Sequence, residues 1–523
     1  MNMEAKMASS SSSSSYVVTS SLFSFCFVFS FCFFFSSVSS ASSIDLNYGQ
    51  TFAHCIGSHS SNNLSNLVYG SDDRSFSTVF HSSIQNLRFY NTTPNQNPQS
   101  IITPYNFTHV QAAIICSKKL GLQVRIRSGG HDYEGLSYKS DVPFIIIDLV
   151  NLNNVRVDNK EATAWVQSGA TLGELYYHVA TNSTGSLGFP GGTCPSVGVG
   201  GQISGGGQGM LVRKFGLAAD NVVDAIVVNA DGKVLDRQAM GEDWFWAIRG
   251  SGGGSFGVVV EWKIALVHVP NKVTGFNIPK TLENNATKLV HLWQQISHQL
   301  HEDLFIRIIF FVVQDSQGVA TIQANFNALF LGTIDQLVPL IGSSFPELGL
   351  KAEDCGEMSW IESILATDGI SLSQPLEVLL DRNQVQKGFF KSKTDFVTEP
   401  ISETDLKSLW KVMLEGSSEA GVMLWDPYGG KMSEISESSI PFPHRAGLLY
   451  NIQYFSKWQN GEALVEERRL DWINRVYNFM GQFVTKNPRT AYVNYRDLDI
   501  VNFMGRFFFI SFLRAVICLY GIL

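Results

Sequence analysis

Arg127-Ser-Gly-Gly-His-Asp-Tyr133 follows directly on a strand-like segment, Val124 to Arg127. Two glycines there free the backbone to approach a ligand and turn amides toward a pyrophosphate, which puts His131 where a cofactor would lie. On this stretch alone, an ordinary glycine-rich turn with a surface histidine is an equal reading. A second run, Gly191-Gly-Thr-Cys194-Pro-Ser-Val197-Gly-Val-Gly-Gly201, continues through Ser204 to Gly209 with glycine so frequent that side chains cannot be packing a core. Its backbone must lie against something flat or charged, and Cys194 has little apolar wall in which to sit as a structural thiol. A third run, Gly250 to Gly257, contains a literal GxGxxG. Context rejects the dinucleotide fingerprint, because a helix-like segment, Asp243 to Ile248, precedes it and a strand follows, the reverse of the required order.

The elements that must position these runs alternate helix and strand signals. An amphipathic run from Thr108 to Leu120 stops at Gly121, and Phe144 to Leu149 is a continuous apolar stretch of strand length. Asn154 to Asp158 with Thr163 to Gln167, and Val222 to Asn229 with Lys233 to Leu235, have the pattern of hairpins, and Thr171-Leu-Gly-Glu174 is a capping box before a helix. A strand from Val258 to Val267 ends before Pro270, and the character of the chain then changes. Ala286 to Leu300 sets Leu289, Leu292, Trp293, Ile296 and Leu300 on one helical stripe, and Leu304 to Gln314 with Val319 to Phe330 predicts two long antiparallel strands. The predicted organisation is α+β: a leader over residues 1–41, a first domain over 42–270, a sheet with helices on one face over 271–445, a return over 446–500 and an apolar tail over 501–523.

With 45% hydrophobic and 16% charged residues in 523, the chain can bury a large core, and a disordered or fibrous reading fails. A net charge of -8 without a Lys/Arg cluster argues against nucleic acid as a partner. Lys6, a serine run, the apolar Leu22 to Phe35 and the small residues around Ala41 have the order of a secretory signal peptide, and the apolar part is short of the roughly 20 residues a membrane span needs. Removal of that leader takes Cys26 and Cys32 and leaves Cys55, Cys116, Cys194, Cys355 and Cys518, an odd number that asks for one cysteine with another task. Sequons at Asn63, Asn91, Asn106, Asn182 and Asn285 agree with secretion.

Taken in order, the SGGHD turn and the GTCPSVGVGG run resemble the berberine bridge enzyme-like family of plant FAD-linked oxidases, within the vanillyl-alcohol oxidase superfamily, from about Phe52 to Ile500. The resemblance implies a two-part FAD-binding domain of the PCMH type and an antiparallel-sheet substrate domain. It also implies FAD held covalently, its 8α-methyl on His131 and its C6 on Cys194. Arg127, Ser128, Gly129, Gly130, Asp132, Ser137, Val197, Gly200, Gly201, Ser204, Gly257 and Val259 are then expected beside the cofactor. Cys55 and Cys116 resemble the family's disulfide pair, and closing a loop of that length is worth roughly 4 kcal/mol by chain entropy. Val197, small and three residues past the linking cysteine, resembles the oxidase type and implies O2 as acceptor with release of hydrogen peroxide.

Ala491-Tyr492-Val-Asn-Tyr495-Arg-Asp-Leu-Asp499 resembles the family's signature for a strand bringing tyrosines over the flavin. Tyr495 is the first candidate for base and needs a pKa lowered by positive charge or hydrogen bonding; two core tyrosines on a strand are the plain alternative. Tyr492, Tyr133 and Gln453 complete the expected catalytic set. Cyclising relatives carry a glutamate at the position of Gln453, and a glutamine cannot act as that base, which argues against oxidative ring closure and toward oxidation of a phenylpropanoid or carbohydrate alcohol. Asn451, where monolignol-oxidising relatives tend to have lysine, weakens that narrower assignment, and Gln202 stands where many relatives have histidine. Val501 to Leu523 departs from the family and has the look of intron-derived or frame-shifted sequence; a membrane anchor would have to carry Arg514 near its middle. The expected protein is a secreted or vacuolar monomer without metal or stable membrane insertion. A flavin-dependent cyclase, or a flavin-binding protein without turnover, remain the other readings.

Overall fold

The computed structural model describes residues 48–59, 66–91, 96–183, 185–383 and 387–499. The expected leader over 1–41, the sequon at Asn63 and the tail over 501–523 with Cys518 lie outside the described residues. Among the described residues no helix is long and apolar enough to cross a membrane.

Phe144–Asp148 is buried at every position, as a strand covered on both faces must be. It is central in a four-stranded sheet ordered Val68–Gly70, Ser100–Ile102, Phe144–Asp148, Gln123–Arg127, with parallel partners on both sides. The crossover helix Phe107–Leu120 starts where the Asn106 side chain accepts from His109 N and ends at Gly121, left-handed at φ 67°. A disulfide from Cys116 to Cys55 ties this helix to Tyr48–His59, with 5.9 Å between the Cα atoms.

A five-stranded antiparallel sheet follows, ordered Val155–Asp158, Thr163–Gln167, Val258–Ala265, Val222–Val228, Val234–Leu235. The Thr171 and Glu174 capping box is formed in full at the start of helix Leu172–Asn182. That helix begins against the glycine run, since Leu172 N donates to Val197 O and Gly173 N to Pro195 O.

Seven antiparallel strands make the large sheet, in the order Cys355–Met358, Val273–Thr281, Ala320–Phe330, Leu304–Gln314, Val422–Pro427, Tyr450–Trp458, Phe389–Val397. Residues 446–500 were expected to return to the first domain and to carry active-site strands. Tyr450–Trp458 is one strand of this sheet, paired on both sides, and its alternating apolar residues extend the helix-covered core. Period-two alternation gives the sheet two faces. Ile306, Ile308, Phe310, Trp425, Ile452 and Tyr454 pack in one core with the helices Ala286–Ile296, Glu403–Leu414 and Ala463–Met480. The intervening Arg307, Ile309, Phe311, Leu424, Asp426, Gln453 and Phe455 face a cavity.

The edge strand Phe389–Val397 carries Lys391 and Lys393, both almost fully buried. Lys391 Nζ stands 2.5 Å from Glu134 Oε1, 2.7 Å from Asp497 Oδ1 and 3.1 Å from Asp499 Oδ2. Lys393 Nζ reaches Asp497 Oδ2 at 2.6 Å. Burial alone would depress the Lys391 pKa, but Asp497 and Glu134 outweigh it and hold the ammonium charged. Glu134 directly follows Tyr133, and Asp497 lies two residues after Tyr495, so one buried cation fixes both tyrosine-bearing segments to the sheet. Lys391→Met leaves the Glu134 carboxylate buried without its ion-pair partner, and urea denaturation should show a loss of about 3–5 kcal/mol. A loss below about 1 kcal/mol, the size of an exposed pair, would mean the segments are held by other contacts.

Candidate active site

One cavity of about 760 Å³ has the glycine runs on one wall and the large sheet on the other, a size within the range of cofactor and small-molecule sites. The two glycine runs meet backbone to backbone. A Cβ on Gly129 would stand 2.3 Å from Gly198 N, and one on Gly198 2.1 Å from Ser128 Oγ, so side chains at either position would push the loops apart. The Asp132 carboxylate braces the turn by accepting from Glu134 N at 3.0 Å and Leu136 N at 2.9 Å.

These contacts bring His131 and Cys194 to one hydroxyl. His131 Nε2 lies 3.0 Å from Ser196 Oγ, and Cys194 Sγ 3.5 Å from the same oxygen. Burial pushes the His131 imidazole down to about 4, so it is neutral at ordinary pH. Burial likewise raises the pKa of the free Cys194 thiol. Gly129, Gly130, Ser128, Asp132, Ser137, Val197, Gly200, Gly201, Ser204 and Val259 line the cavity with them, as do Tyr133, Gln453, Tyr492 and Tyr495. Two expected cofactor contacts are elsewhere. The Arg127 guanidinium is fully buried against Asp148 at 2.7 Å and the carbonyls of Val79 and Phe80, where it ties the helix Phe76–His81 to the four-stranded sheet. Gly257 packs on the neighbouring strand, its would-be Cβ 2.8 Å from Val227 Cγ1.

The tyrosines differ in what holds their hydroxyls. Tyr492–Asp499 is not the expected strand but an irregular segment with one 3-10 turn, Val493–Tyr495. Tyr492 OH accepts from Gly207 N at 3.0 Å, Gln208 N at 3.2 Å and Asn494 Nδ2 at 3.0 Å, which pins the segment to the second glycine run. Tyr133 OH accepts from Gln453 Nε2 at 3.0 Å. Tyr495 stacks on Tyr133 with ring centroids 5.7 Å apart and planes 2° from parallel, and its hydroxyl has no hydrogen-bond partner among the described residues. The lowering expected for Tyr495 is not found. Burial, then the neighbouring Tyr133, Asp426 and Tyr492, raise its pKa, and Arg307, the cation that opposes them, is bound bidentately by Asp426 at 2.7 and 3.0 Å.

Arg307 and Asp426 were missed from the sequence. Gln208 joins them by donating to Asp426 Oδ2 at 3.0 Å and accepting from Tyr428 OH at 3.1 Å. One charged residue inside each of two apolar strands, Leu-Phe-Ile-Arg307-Ile-Ile and Val-Met-Leu-Trp-Asp426, was the available signal. Asp368, raised by burial to about 6, and Lys457, lowered by burial, complete the charged groups near Cys194.

The residues present fit a flavin nucleotide. Ser137 Oγ and Ser168 Oγ are buried on the cavity wall without partners among the described residues, and a Cβ at Gly201 would project into open space. A family profile described as FAD binding domain matches residues 98–237. Tetrahydroberberine oxidase of Argemone mexicana is 49% identical over 450 residues, 86% of this chain and 82% of that one. The solved structure of BBE-like 28 from Arabidopsis thaliana superposes with a TM-score of 0.79 at 45% identity, covering 86% of this chain and 89% of that one. That of the grass pollen allergen Phl p 4, a glucose dehydrogenase, does so with 0.79 at 44%, covering 86% and 88%; an isoleucine-to-valine variant of it is a glucose oxidase. At such identity over most of both chains the fold is held in common, and this chain belongs to the berberine bridge enzyme-like family of FAD-dependent oxidoreductases.

Proposed function

We propose that the protein is a secreted oxidase that holds FAD through covalent bonds to both His131 and Cys194. It oxidises an alcohol carbon of a phenylpropanoid or carbohydrate and passes the electrons to O2, releasing hydrogen peroxide. The observation that carries this reading is the convergence of the cavity-lining His131 and Cys194 on one buried hydroxyl. Because Ser196 engages Nε2, Nδ1 is the imidazole nitrogen left for a bond to the cofactor. When bound, the flavin supplies the hydride acceptor and the route of electrons to oxygen, and the protein supplies position and electrostatics.

The sheet wall carries the substrate in this reading, the glycine wall the cofactor. Tyr495 is assigned the substrate's hydroxyl proton, since among the described residues its hydroxyl is the one of the three without a hydrogen-bond donor. Gln453 orients Tyr133, on which the Tyr495 ring is stacked. A glutamine at 453 has no carboxylate to take a ring-closing proton, which favours alcohol oxidation over cyclisation. The small Val197 on the wall supports access of O2, in line with the gain of oxidase activity in the valine variant of Phl p 4. Four sequons, Asn91, Asn106, Asn182 and Asn285, are exposed, and with the disulfide they support passage through an oxidising compartment.

After denaturation, yellow flavin should stay with the polypeptide in the wild type, His131→Ala and Cys194→Ala, and leave it in the double variant; soluble wild type that releases all its flavin rejects the covalent assignment. Tyr495→Phe should slow anaerobic flavin reduction by an alcohol substrate by about 10²–10⁴-fold, the usual share of a general base, with the flavin still attached. An unchanged rate moves the base elsewhere. Val197→Ile should slow reoxidation by O2, followed in a stopped-flow instrument, while dye reduction persists; equal loss of both would remove Val197 from the oxygen path.

A further inference from the structure

We propose that the Ser196 hydroxyl relays the thiol proton of Cys194 to Nε2 of His131, so that one anchor of the cofactor acts as base in forming the other; this rests on the two-bond attachment proposed above. Ser196 is 3% exposed, and its Oγ is 3.0 Å from Nε2 and 3.5 Å from Sγ. The turn that carries it is fixed on both sides, since Gly173 N donates to Pro195 O at 2.8 Å and Leu172 N to Val197 O at 2.9 Å. A hydroxyl donates one proton while it accepts another, so Ser196 can serve thiol and imidazole at the same moment.

The thiol needs such help. Thiolate is the nucleophile, whereas burial first, and the Asp368 carboxylate with it, hold the Cys194 thiol protonated. Ser196 offers the one side chain within hydrogen-bond reach of Sγ among the described residues. The acceptor is ready, because the buried His131 is neutral at ordinary pH. With Nδ1 committed to the 8α-methyl, Nε2 remains a bare lone pair facing Ser196. Attachment at His131 thus leaves Nε2 free to speed the second bond, which in His131→Ala still forms without that base, only more slowly.

The step balances as follows. The S–H bond breaks and a bond from sulfur to flavin C6 forms. The thiol proton goes to Ser196 Oγ as the hydroxyl's own proton goes to Nε2. The C6 hydrogen leaves as a second proton, and its bonding pair stays on the ring, which is thereby reduced by two electrons. O2, the acceptor of the proposed oxidase, takes that pair and becomes hydrogen peroxide.

The test reads attachment rather than turnover. Full-length secreted protein is denatured, alkylated with iodoacetamide and digested, and labelling of Cys194 is compared with that of Cys355, a free thiol in every variant. Thioether-linked Cys194 takes no label. Wild type should leave Cys194 unlabelled with flavin attached. Ser196→Ala should retain flavin through His131 but form the thioether at least about tenfold more slowly, the low end for loss of a proton-transfer group. Ser196→Gly is run alongside and should match it, and Ser196→Thr, which restores a hydroxyl, should return the rate to that of the wild type. The relay is overturned if Ser196→Ala and Ser196→Gly form the thioether as fast as wild type, or if Ser196→Thr is as slow as they are. Wild type with labelled Cys194 and no covalent flavin fails the attachment reading itself, a separate result from either.

Discussion

The buried ammonium of Lys391 is the constraint on which the working geometry depends. It lies on an edge strand between Glu134, from the loop after the first glycine turn, and Asp497, from the last described segment. Segments some 360 residues apart in sequence are thus held to one point (497 − 134 = 363). An ion pair in so dry a place is a poor source of net stability, because desolvation consumes most of the attraction. Its value is in specifying position: Lys391 meets a carboxylate from each of the two segments, and Lys393 shares Asp497 with it. Tyr133 and Tyr495, attached to the two ends of this arrangement, come to lie nearly parallel as a result.

The cavity joins two walls built on different principles. On the glycine wall the backbone itself is the surface, and the loops touch so closely at Gly129 and Gly198 that any side chain would separate them. On the sheet wall, strand alternation decides everything. Ile306, Ile308 and Phe310 enter the helix-covered core, and Arg307, Ile309 and Phe311 face the cavity. Burying Arg307 is tolerable because Asp426, on the adjacent strand with its side chain on the same face, neutralises it at 2.7 Å, and Gln208 adds a further donor to the Asp426 oxygen Oδ2. This network also carries the glycine wall to the sheet wall, since Gln208 belongs to the second glycine run.

Local signals were legible where local physics decides. The capping box at Thr171, the glycine stop at Gly121 and the long strands Leu304–Gln314 and Ala320–Phe330 stand where periodicity puts them. The pairing of His131 with Cys194 was an expectation of the family resemblance, and both side chains lie beside the Ser196 hydroxyl. Arg127 misled because its place at the head of the turn says nothing of direction; a strand's last residue points to the opposite side from its neighbour, here toward Asp148. The segment around Tyr492 was expected as a strand from its resemblance to the family's signature, yet its amides find no ladder. The hydroxyl of Tyr492 binds loop amides of Gly207 and Gln208 instead, a tertiary contact some 285 residues distant in sequence, which no window on the chain can show. Arg307 and Asp426 failed for the same reason: each is an anomaly alone and an explanation only as a pair.

Three tyrosines on one wall would be chemically redundant if their surroundings were alike. Tyr492 OH accepts three N–H donors, and a group so occupied serves structure, because a substrate would have to displace bonds that anchor a loop. Tyr133 OH accepts one bond from Gln453, leaving its proton to be directed at a partner in the cavity. Tyr495 OH has no donor among the described residues while burial raises its pKa, so it stands as a neutral phenol until a ligand or the cofactor alters its field. Division of labour among identical side chains thus follows from counting donors, and the same count sets the buried Ser196 apart from serines that line the cavity. The hydroxyls of Ser137 and Ser168 lack partners among the described residues, whereas that of Ser196 joins the two groups on which attachment would depend.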